Sequence, residues 1–264
     1  MWAGLHPPLQ SLLLFETMAT EYSRRKALQI GLAGAGALCG YRVAPPDRSG
    51  RLRARPGPAS DTLAPGLGVL GLQAGRDGLV FVPEGHTPGE PVPLVVLFHG
   101  AGGSGRGILQ RFQPLLPELA LAVLAPDSRG STWDVRQGGF GDDVAFIDRA
   151  LERFFTKVTV DPARIIAAGF SDGASYALSL GLTNGDLFTR IVAFSPGFMA
   201  PGKRVGRPPI FVSHGTGDDI LPIDVTSRRL VPQLRRLGYA VDYREFDGGH
   251  TVKPELALEA LQTR

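Results

Sequence analysis

Gly169-Phe170-Ser171-Asp172-Gly173 is the stretch on which the predicted fold depends, because it matches the pattern G-x-S-x-G of a nucleophile elbow. The residues before it, 164–168, are apolar apart from Arg164 and are typical of a short buried strand. The residues after it, 174–182, are rich in Ala and Leu and predict a helix. A tight turn between strand and helix would hold the Ser171 hydroxyl clear of a sheet. The alternative is a serine that only caps a helix after a strand.

Strands and helices alternate along the chain beyond residue 65. Apolar runs predict strands at 68–72, 78–82, 94–98, 121–125, 164–168, 191–194, 210–213 and 241–246. Helical spacing and composition predict helices at 108–119, 142–155, 174–182, 225–237 and 254–261. Such alternation indicates an α/β fold with a mostly parallel central sheet and helices on both faces. Ligands of such sheets bind at the carboxyl ends of the strands, which is where the loops of interest lie.

The N-terminal part of the chain is predicted to lie outside this fold. Ser23-Arg24-Arg25-Lys26 precedes an apolar, glycine-rich run at 29–40, a pattern typical of a twin-arginine export signal. A basic amphipathic helix is the alternative. We therefore predict an N-terminal extension with this signal over 1–44, a Pro/Gly/Arg-rich linker over 45–64 and a catalytic domain over 65–264. The protein would be exported, to the periplasm or the medium, without a stable membrane anchor after signal removal.

Composition excludes several classes of function. The chain has 264 residues, is 43% hydrophobic and 20% charged, and carries a formal charge of only +3. Because no basic stretch is interleaved with aromatic residues, nucleic acid is not an expected partner. Cys39 is the only cysteine and lies within the predicted signal, so a mature protein would have no disulfide. We expect no cofactor and no metal, and no sequence feature indicates an oligomeric state.

A nucleophilic serine needs a histidine base, and the histidine needs a carboxylate to orient it. Of the five histidines, His250 follows the last predicted strand and alone comes after both the serine and an acid, in the order Ser-Asp-His. Asp218 and Asp219 both follow the strand at 210–213. Asp218 is favoured because His214–Pro222 fits the pattern H-G-x-x-D-x-x-[VL]-P, and Asp219 remains the alternative.

The chain resembles the α/β-hydrolase superfamily over about residues 79–261. The motifs that carry the resemblance are His99–Gly103, Val160–Ile165 leading into the elbow, His214–Pro222 and Gly248–His250. Within the superfamily the chain is similar to small serine esterases of the phospholipase/carboxylesterase, dienelactone hydrolase and polyhydroxybutyrate-depolymerase-like groups. Asp172 stands where carboxylesterases commonly have Gln, which favours depolymerase-like or feruloyl-esterase-like relatives. The resemblance implies an α/β-hydrolase fold with little or no lid.

The resemblance also implies two backbone donors for an oxyanion. One is the amide of Asp172 at the start of the helix after the elbow. The other would come from His99-Gly100-Ala101-Gly102-Gly103, where we choose Ala101. A simple tight turn is the alternative for these glycines, and His99 is expected to be structural.

Large apolar side chains on two loops are candidates for a substrate pocket. Trp133 follows the predicted strand at 121–125, and Phe198 and Met199 follow the strand at 191–194. Both loops leave the sheet at the same edge as Ser171, so we expect these three side chains to line the acyl pocket. The alternative is that Trp133 packs beneath its own loop.

The sequence thus predicts a serine carboxylic ester hydrolase that works through a Ser-His-Asp triad and an acyl-enzyme. Its partner would be a small-molecule or polymeric ester. A polyester depolymerase or a feruloyl-esterase-like enzyme is one alternative. A peptidase or acyltransferase with the same triad also stays open. An alternative from a different class is a non-catalytic binding protein with the hydrolase fold.

Overall fold

A single mixed sheet forms the centre of the protein in a computed structural model, which describes residues 48–60 and 62–262. Its eight strands are β1 (Gly66–Val69), β2 (Gly78–Val82), β3 (Val92–Phe98), β4 (Ala122–Pro126), β5 (Val160–Phe170), β6 (Arg190–Phe194), β7 (Ile210–Gly215) and β8 (Val241–Phe246). Their spatial order is β1-β2-β4-β3-β5-β6-β7-β8. The pairs β1–β2 and β2–β4 are antiparallel, and all the other neighbouring strands are parallel. The predicted mostly parallel sheet is therefore confirmed.

In the part of the chain that the structure describes, five α-helices lie between strands and a sixth follows β8. They are α1 (Gly105–Phe112), α2 (Leu116–Leu119), α3 (Asp142–Lys157), α4 (Asp172–Thr183), α5 (Ser227–Arg236) and α6 (Pro254–Leu261). The predicted helix at 108–119 is divided into α1 and α2 near Pro114, since proline cannot donate the amide hydrogen bond that a continuous helix needs. Helix α1 begins earlier than predicted because the Ser104 side chain caps it by accepting from the Gly107 amide at 3.1 Å.

Strand β3 shows how the helices cover both faces of the sheet. All of its residues are buried, as expected for a central parallel strand. Leu94, Val96 and Phe98 contribute to a core cluster with α3 and α4. Val95 and Leu97 point to the opposite face and contribute to a cluster with α1, α2 and α6. The alternation of side chains along the strand thus places one hydrophobic layer on each side.

The segment from Arg51 to Ala54 packs against the domain, in contrast to the linker predicted over 45–64. Leu52 is only 1% exposed, and its amide donates to Oδ1 of Asn184 at 2.8 Å. Arg51 forms an ion pair of 2.7 Å with Asp186. Two isolated apolar residues, Leu52 and Ala54, among prolines and arginines are too few to give a periodic pattern, so the sequence did not indicate this contact.

The predicted export signal, including Arg24, Arg25 and Cys39, lies outside the described residues. Among the residues that are described, no helix combines the length and the apolar character needed to cross a bilayer.

Candidate active site

The turn between β5 and α4 holds Ser171 in an unusual backbone conformation. Its φ is 59°, in the left-handed region where a residue other than glycine costs on the order of 1–3 kcal/mol. A Cβ atom at Gly169 would overlap the carbonyl of Gly173, and one at Gly173 would overlap the carbonyl of Phe98. The Ser171 amide donates to the carbonyl of Phe194 at 2.9 Å. The spacing of the two glycines is therefore required by the close approach of β5, α4 and β3.

His250 lies between Ser171 and Asp218. Its Nε2 atom is 2.8 Å from Oγ of Ser171, and its Nδ1 atom is 2.6 Å from Oδ2 of Asp218. Because a carboxylate can only accept, Nδ1 carries the proton and Nε2 is left to accept from the serine hydroxyl. The structure thus brings the three predicted residues together from the loops after β5, β7 and β8.

The carboxylate of Asp218 is buried but well supplied with hydrogen bonds. Its Oδ1 atom accepts from the amides of Ile220 at 3.0 Å and Leu221 at 2.8 Å. Burial by itself raises the pKa of Asp218, but the hydrogen bonds from Leu221 and His250 outweigh it and hold this pKa below its usual value. Asp219, the alternative acid, is exposed. The side chain that meets His250 is therefore that of Asp218.

His214 is a neighbour of this carboxylate for which the sequence predicted no role. Its Nε2 atom lies 2.8 Å from the carbonyl oxygen of Leu221 and 3.1 Å from Oδ2 of Asp218. Its Nδ1 atom lies 2.7 Å from Oγ of Ser227. Burial lowers the pKa of His214, which keeps the ring neutral. Because the Leu221 carbonyl and the Asp218 carboxylate can only accept, the proton of the neutral ring lies on Nε2. The sequence did contain an indication that His214 lies near Asp218, since His214 is the first residue of the H-G-x-x-D pattern that located Asp218.

The two residues predicted to supply the oxyanion donors line the same cavity as Ser171. The amide of Asp172 lies in the first turn of α4 and so has no acceptor within the helix. In the loop after β3, the carbonyl of Gly100 accepts from the Gly103 amide at 3.0 Å and lies 2.7 Å from Nδ1 of His99. In a trans peptide the Ala101 amide points away from that carbonyl. Ala101, Asp172 and Ser171 all line one cavity.

His99 lies beneath this loop and is buried. Its Nε2 atom accepts from the amide of Ser128 at 3.0 Å, so its Nδ1 atom carries the proton that is shared with the carbonyl of Gly100. Burial lowers the pKa of His99 and keeps the ring neutral. These contacts are with backbone atoms, in keeping with the structural role expected for His99.

The cavity above Ser171 has a volume of about 570 Å³. It is lined by Ala101, Val135, Arg136, Ser171, Asp172, Ser175, Gly197, Phe198, Ala200, Ile220 and Leu221. Phe198, one of the three residues predicted for an acyl pocket, lies in its wall. Within residues 48–60 and 62–262, no three His, Cys, Asp or Glu side chains are placed to hold a metal ion.

Trp133 does not line this cavity, and that prediction was wrong. The side chain is fully buried, and its ring stacks on Tyr176 at a centroid distance of 4.6 Å. Met199 is half-buried and packs against a core cluster between α4 and α5 instead of lining the cavity with Phe198. Both predictions failed for the same reason, since the position of a loop at the correct edge of the sheet does not determine which way its side chains turn.

Known proteins resemble the chain in both sequence and structure. The profile of the phospholipase/carboxylesterase family matches residues 129–263, just over half of the chain. Feruloyl esterase C of Emericella nidulans is 30% identical over 159 residues, which are 57% of this chain and 57% of that protein. The chain therefore spans less than two thirds of the length of this relative.

Two solved structures superpose on the described fold. The crystal structure of esterase PE8 is 27% identical with a TM-score of 0.52, covering 66% of this chain and 91% of that one. A phospholipase/carboxylesterase from Dyadobacter fermentans is 23% identical with a TM-score of 0.56, covering 78% of this chain and 100% of that one. These superpositions confirm the α/β-hydrolase fold that the sequence motifs predicted.

Proposed function

The chain belongs to the phospholipase/carboxylesterase family, and from this membership and the geometry of the site we propose that it is a serine carboxylic ester hydrolase. Ser171, His250 and Asp218 form its catalytic triad. The observation that carries the proposal is the continuous hydrogen-bonded line from Oγ of Ser171 through His250 to Oδ2 of Asp218, with distances of 2.8 and 2.6 Å. The esterase names of several relatives support the same reaction class.

The first half of the reaction forms an acyl-enzyme. As Oγ of Ser171 attacks the ester carbonyl carbon, Nε2 of His250 takes the hydroxyl proton. Asp218, kept ionised by its low pKa, stabilises the imidazolium through Nδ1–H. When the tetrahedral intermediate collapses, the bond between carbonyl carbon and alkoxy oxygen breaks. The alcohol leaves with the proton from His250.

The second half repeats these steps with water. His250 removes a proton from a water molecule, which attacks the acyl carbon, and the proton then returns to Oγ of Ser171 as the acid leaves. In both halves the amides of Ala101 and Asp172 donate to the oxyanion. Loss of one such donor lowers kcat by about 10²- to 10³-fold in a comparable hydrolase.

The acyl group of the substrate occupies the cavity beside Ser171. Phe198, Ile220 and Leu221 offer an apolar wall, and Arg136 places a guanidinium in the same lining. A volume of about 570 Å³ is within the range of small-molecule sites. An aromatic, hydroxycinnamoyl acyl group is a second, narrower candidate. It is favoured by the relative named feruloyl esterase C and by the presence of both Phe198 and Arg136 in the lining, since an aromatic ring and a guanidinium can each pack against an aromatic acyl group.

A substrate panel with an active-site label tests this proposal. The panel contains p-nitrophenyl acetate, butyrate and octanoate, methyl ferulate and a polyester film. A fluorophosphonate probe should label Ser171, and at least one ester should be hydrolysed at a rate abolished by the probe. Absence of both labelling and hydrolysis would favour the non-catalytic binding protein. Hydrolysis of the film alone would favour a polyester depolymerase.

We also propose that the protein is exported, on the sequence pattern at Ser23-Arg24-Arg25-Lys26. Replacement of Arg24 and Arg25 by Lys should then stop its appearance outside the cytoplasm. Unchanged export of this variant would contradict the twin-arginine route.

A further inference from the structure

Thr132 and Trp133 connect the two backbone segments that carry the predicted oxyanion donors. On one side, the hydroxyl of Thr132 donates to Oδ2 of Asp172, and the amide of Trp133 lies 3.4 Å from the same oxygen. On the other side, the indole Nε1–H of Trp133 donates to the carbonyl of His99 at 2.8 Å. Two adjacent residues of one loop therefore hold both the first residue of α4 and the start of the loop after β3.

The carboxylate of Asp172 depends on few partners. Its side chain is 2% exposed and forms an ion pair with Arg136, whose Nη1 lies 3.8 Å from Oδ1. Among the described residues, Oδ1 has no hydrogen-bond partner. A buried carboxylate that loses a donor is strongly destabilised in its position, because nothing else replaces the lost hydration. Removal of the Thr132 hydroxyl should therefore change the position of the Asp172 side chain and of its backbone amide.

The contact with His99 constrains the second donor in the same way. The carbonyl of His99 is held by Trp133, and the next carbonyl, of Gly100, is held by the His99 ring and the Gly103 amide. With two successive carbonyls fixed, the direction of the Ala101 amide is fixed as well. The rings of His99 and Trp133 also lie against each other, with centroids 4.8 Å apart.

We propose that Thr132 and Trp133 are positioning residues that set the mutual distance and direction of the Asp172 and Ala101 amides. The inference rests on the proposed function, since it assumes that these amides bind an oxyanion. Neither residue lines the cavity, so neither touches the substrate. Through these contacts the acidic side chain of Asp172 also has a role. Carboxylesterases commonly have Gln at this position of the elbow.

The effect should fall on the transition state more than on substrate binding. An oxyanion donor acts where negative charge develops, so its displacement lowers kcat and leaves KM nearly unchanged. A residue that only stabilises the fold would instead lower the amount of active enzyme and the melting temperature. Two measurements therefore separate the two roles. One compares the change in kcat with the change in KM, and the other is the affinity for a transition-state analogue.

The first pair of variants changes only the hydroxyl. Thr132→Val removes the donor to Asp172 with almost the same shape, and Thr132→Ser retains it. In the full-length protein we expect Thr132→Val to lower kcat for p-nitrophenyl butyrate by roughly 10- to 100-fold with KM changed by less than about twofold. Its affinity for butylboronic acid, which forms a tetrahedral adduct on the serine, should fall in parallel. Thr132→Ser should behave as the wild type.

The second pair separates positioning from packing. Trp133→Phe keeps an aromatic ring but removes the Nε1–H donor to His99, and we expect the same loss in kcat and boronate affinity. Phe154→Leu alters a side chain of the same core cluster that takes no part in the connection. It should lower the melting temperature and leave kcat per folded molecule unchanged.

The outcomes are distinguishable. Unchanged kcat and boronate affinity in Thr132→Val and Trp133→Phe, with an active wild type, would overturn the positioning role and leave the proposed function intact. Equal losses of kcat and boronate affinity in these variants and in Phe154→Leu would also overturn the positioning role and leave the proposed function intact. A wild type that hydrolyses no ester and is not labelled at Ser171 would overturn both.

Discussion

Oδ2 of Asp218 lies 2.6 Å from Nδ1 of His250. The same carboxylate is held through its other oxygen by two backbone amides, so its orientation toward the imidazole is fixed by the chain itself. An acid held in this way can select the tautomer of the histidine and stabilise its charged form. Asp219, one residue further along, is exposed.

Replacement of the two aspartates should therefore have very different effects. Asp218→Asn should lower kcat by about 10⁴, as in a comparable triad, because the amide no longer holds the imidazole in the productive tautomer. Asp219→Asn is the matched control and should change kcat by less than about threefold. The measurement is steady-state hydrolysis of p-nitrophenyl butyrate. The reverse order of effects would move the acid to Asp219.

His214 should resist protonation in the folded protein. Burial lowers its pKa below the usual value of 6.5, despite the neighbouring carboxylate of Asp218 and carbonyl of Leu221. Between the folded and unfolded pKa values the unfolded chain binds more protons, so this group contributes stability that is lost as the pH falls below about 6.5. The Cε1 proton of His214, followed by NMR, should titrate with a midpoint below 6.5.

A comparison with His214→Gln isolates this contribution from those of other groups. The free energy of unfolding is measured by urea denaturation at about pH 7.5 and about pH 5.5. The wild type should lose more stability on acidification than the variant. An equal or smaller loss in the wild type, or a midpoint at or above 6.5, would contradict the burial argument.

The N-terminal segment should contribute to the stability of the domain. Leu52 is buried against the domain and fixed by Asn184, so Leu52→Ala should lower the free energy of unfolding by about 2–5 kcal/mol. Pro58 in the same segment is exposed, and Pro58→Ala should change it by less than about 0.5 kcal/mol. A protein that begins at Ser60 should melt at a lower temperature than one that begins at Arg48. Equal melting temperatures would mean that the segment does not stabilise the domain.

Phe198 should influence which acyl groups are preferred. It lines the cavity, whereas Met199 does not, so Phe198→Ala and Met199→Ala form a matched pair. Loss of roughly 100 Å² of apolar contact at ~25 cal/mol per Å² corresponds to ~2.5 kcal/mol, or tens-fold in kcat/KM for the acyl group that used it. The measurement is kcat/KM for acetyl, butyryl, octanoyl and feruloyl esters. A parallel decrease for all four esters would assign Phe198 to packing.

The sequence predicted those features that depend on local pattern. Each of three features depends on a particular backbone geometry: the glycines beside Ser171, the H-G-x-x-D spacing before Asp218 and the position of His250 after the last strand. Chain order along a parallel sheet then brings their strand ends to one edge. The three side chains could therefore be predicted to lie together from the sequence alone.

Features that depend on long-range packing could not be predicted in this way. Trp133 was expected in the pocket, but its ring lies in the core, where it stacks on Tyr176 and donates to the His99 carbonyl. Both partners are distant from Trp133 in sequence. Leu52 is buried by contacts more than 100 residues away in sequence, including Asn184. His214 was visible in a motif, yet its contact with Asp218 depends on how the loop after β7 turns back.

Hydrolysis of p-nitrophenyl butyrate by Ser171→Ala shows whether Ser171 is the nucleophile. The variant removes the proposed nucleophile while leaving the positive-φ turn to a residue with a small side chain, and circular dichroism checks that it is folded. We expect a loss on the order of a millionfold in kcat, as in a comparable triad. A folded variant that keeps more than a few per cent of wild-type activity would contradict the assignment of Ser171.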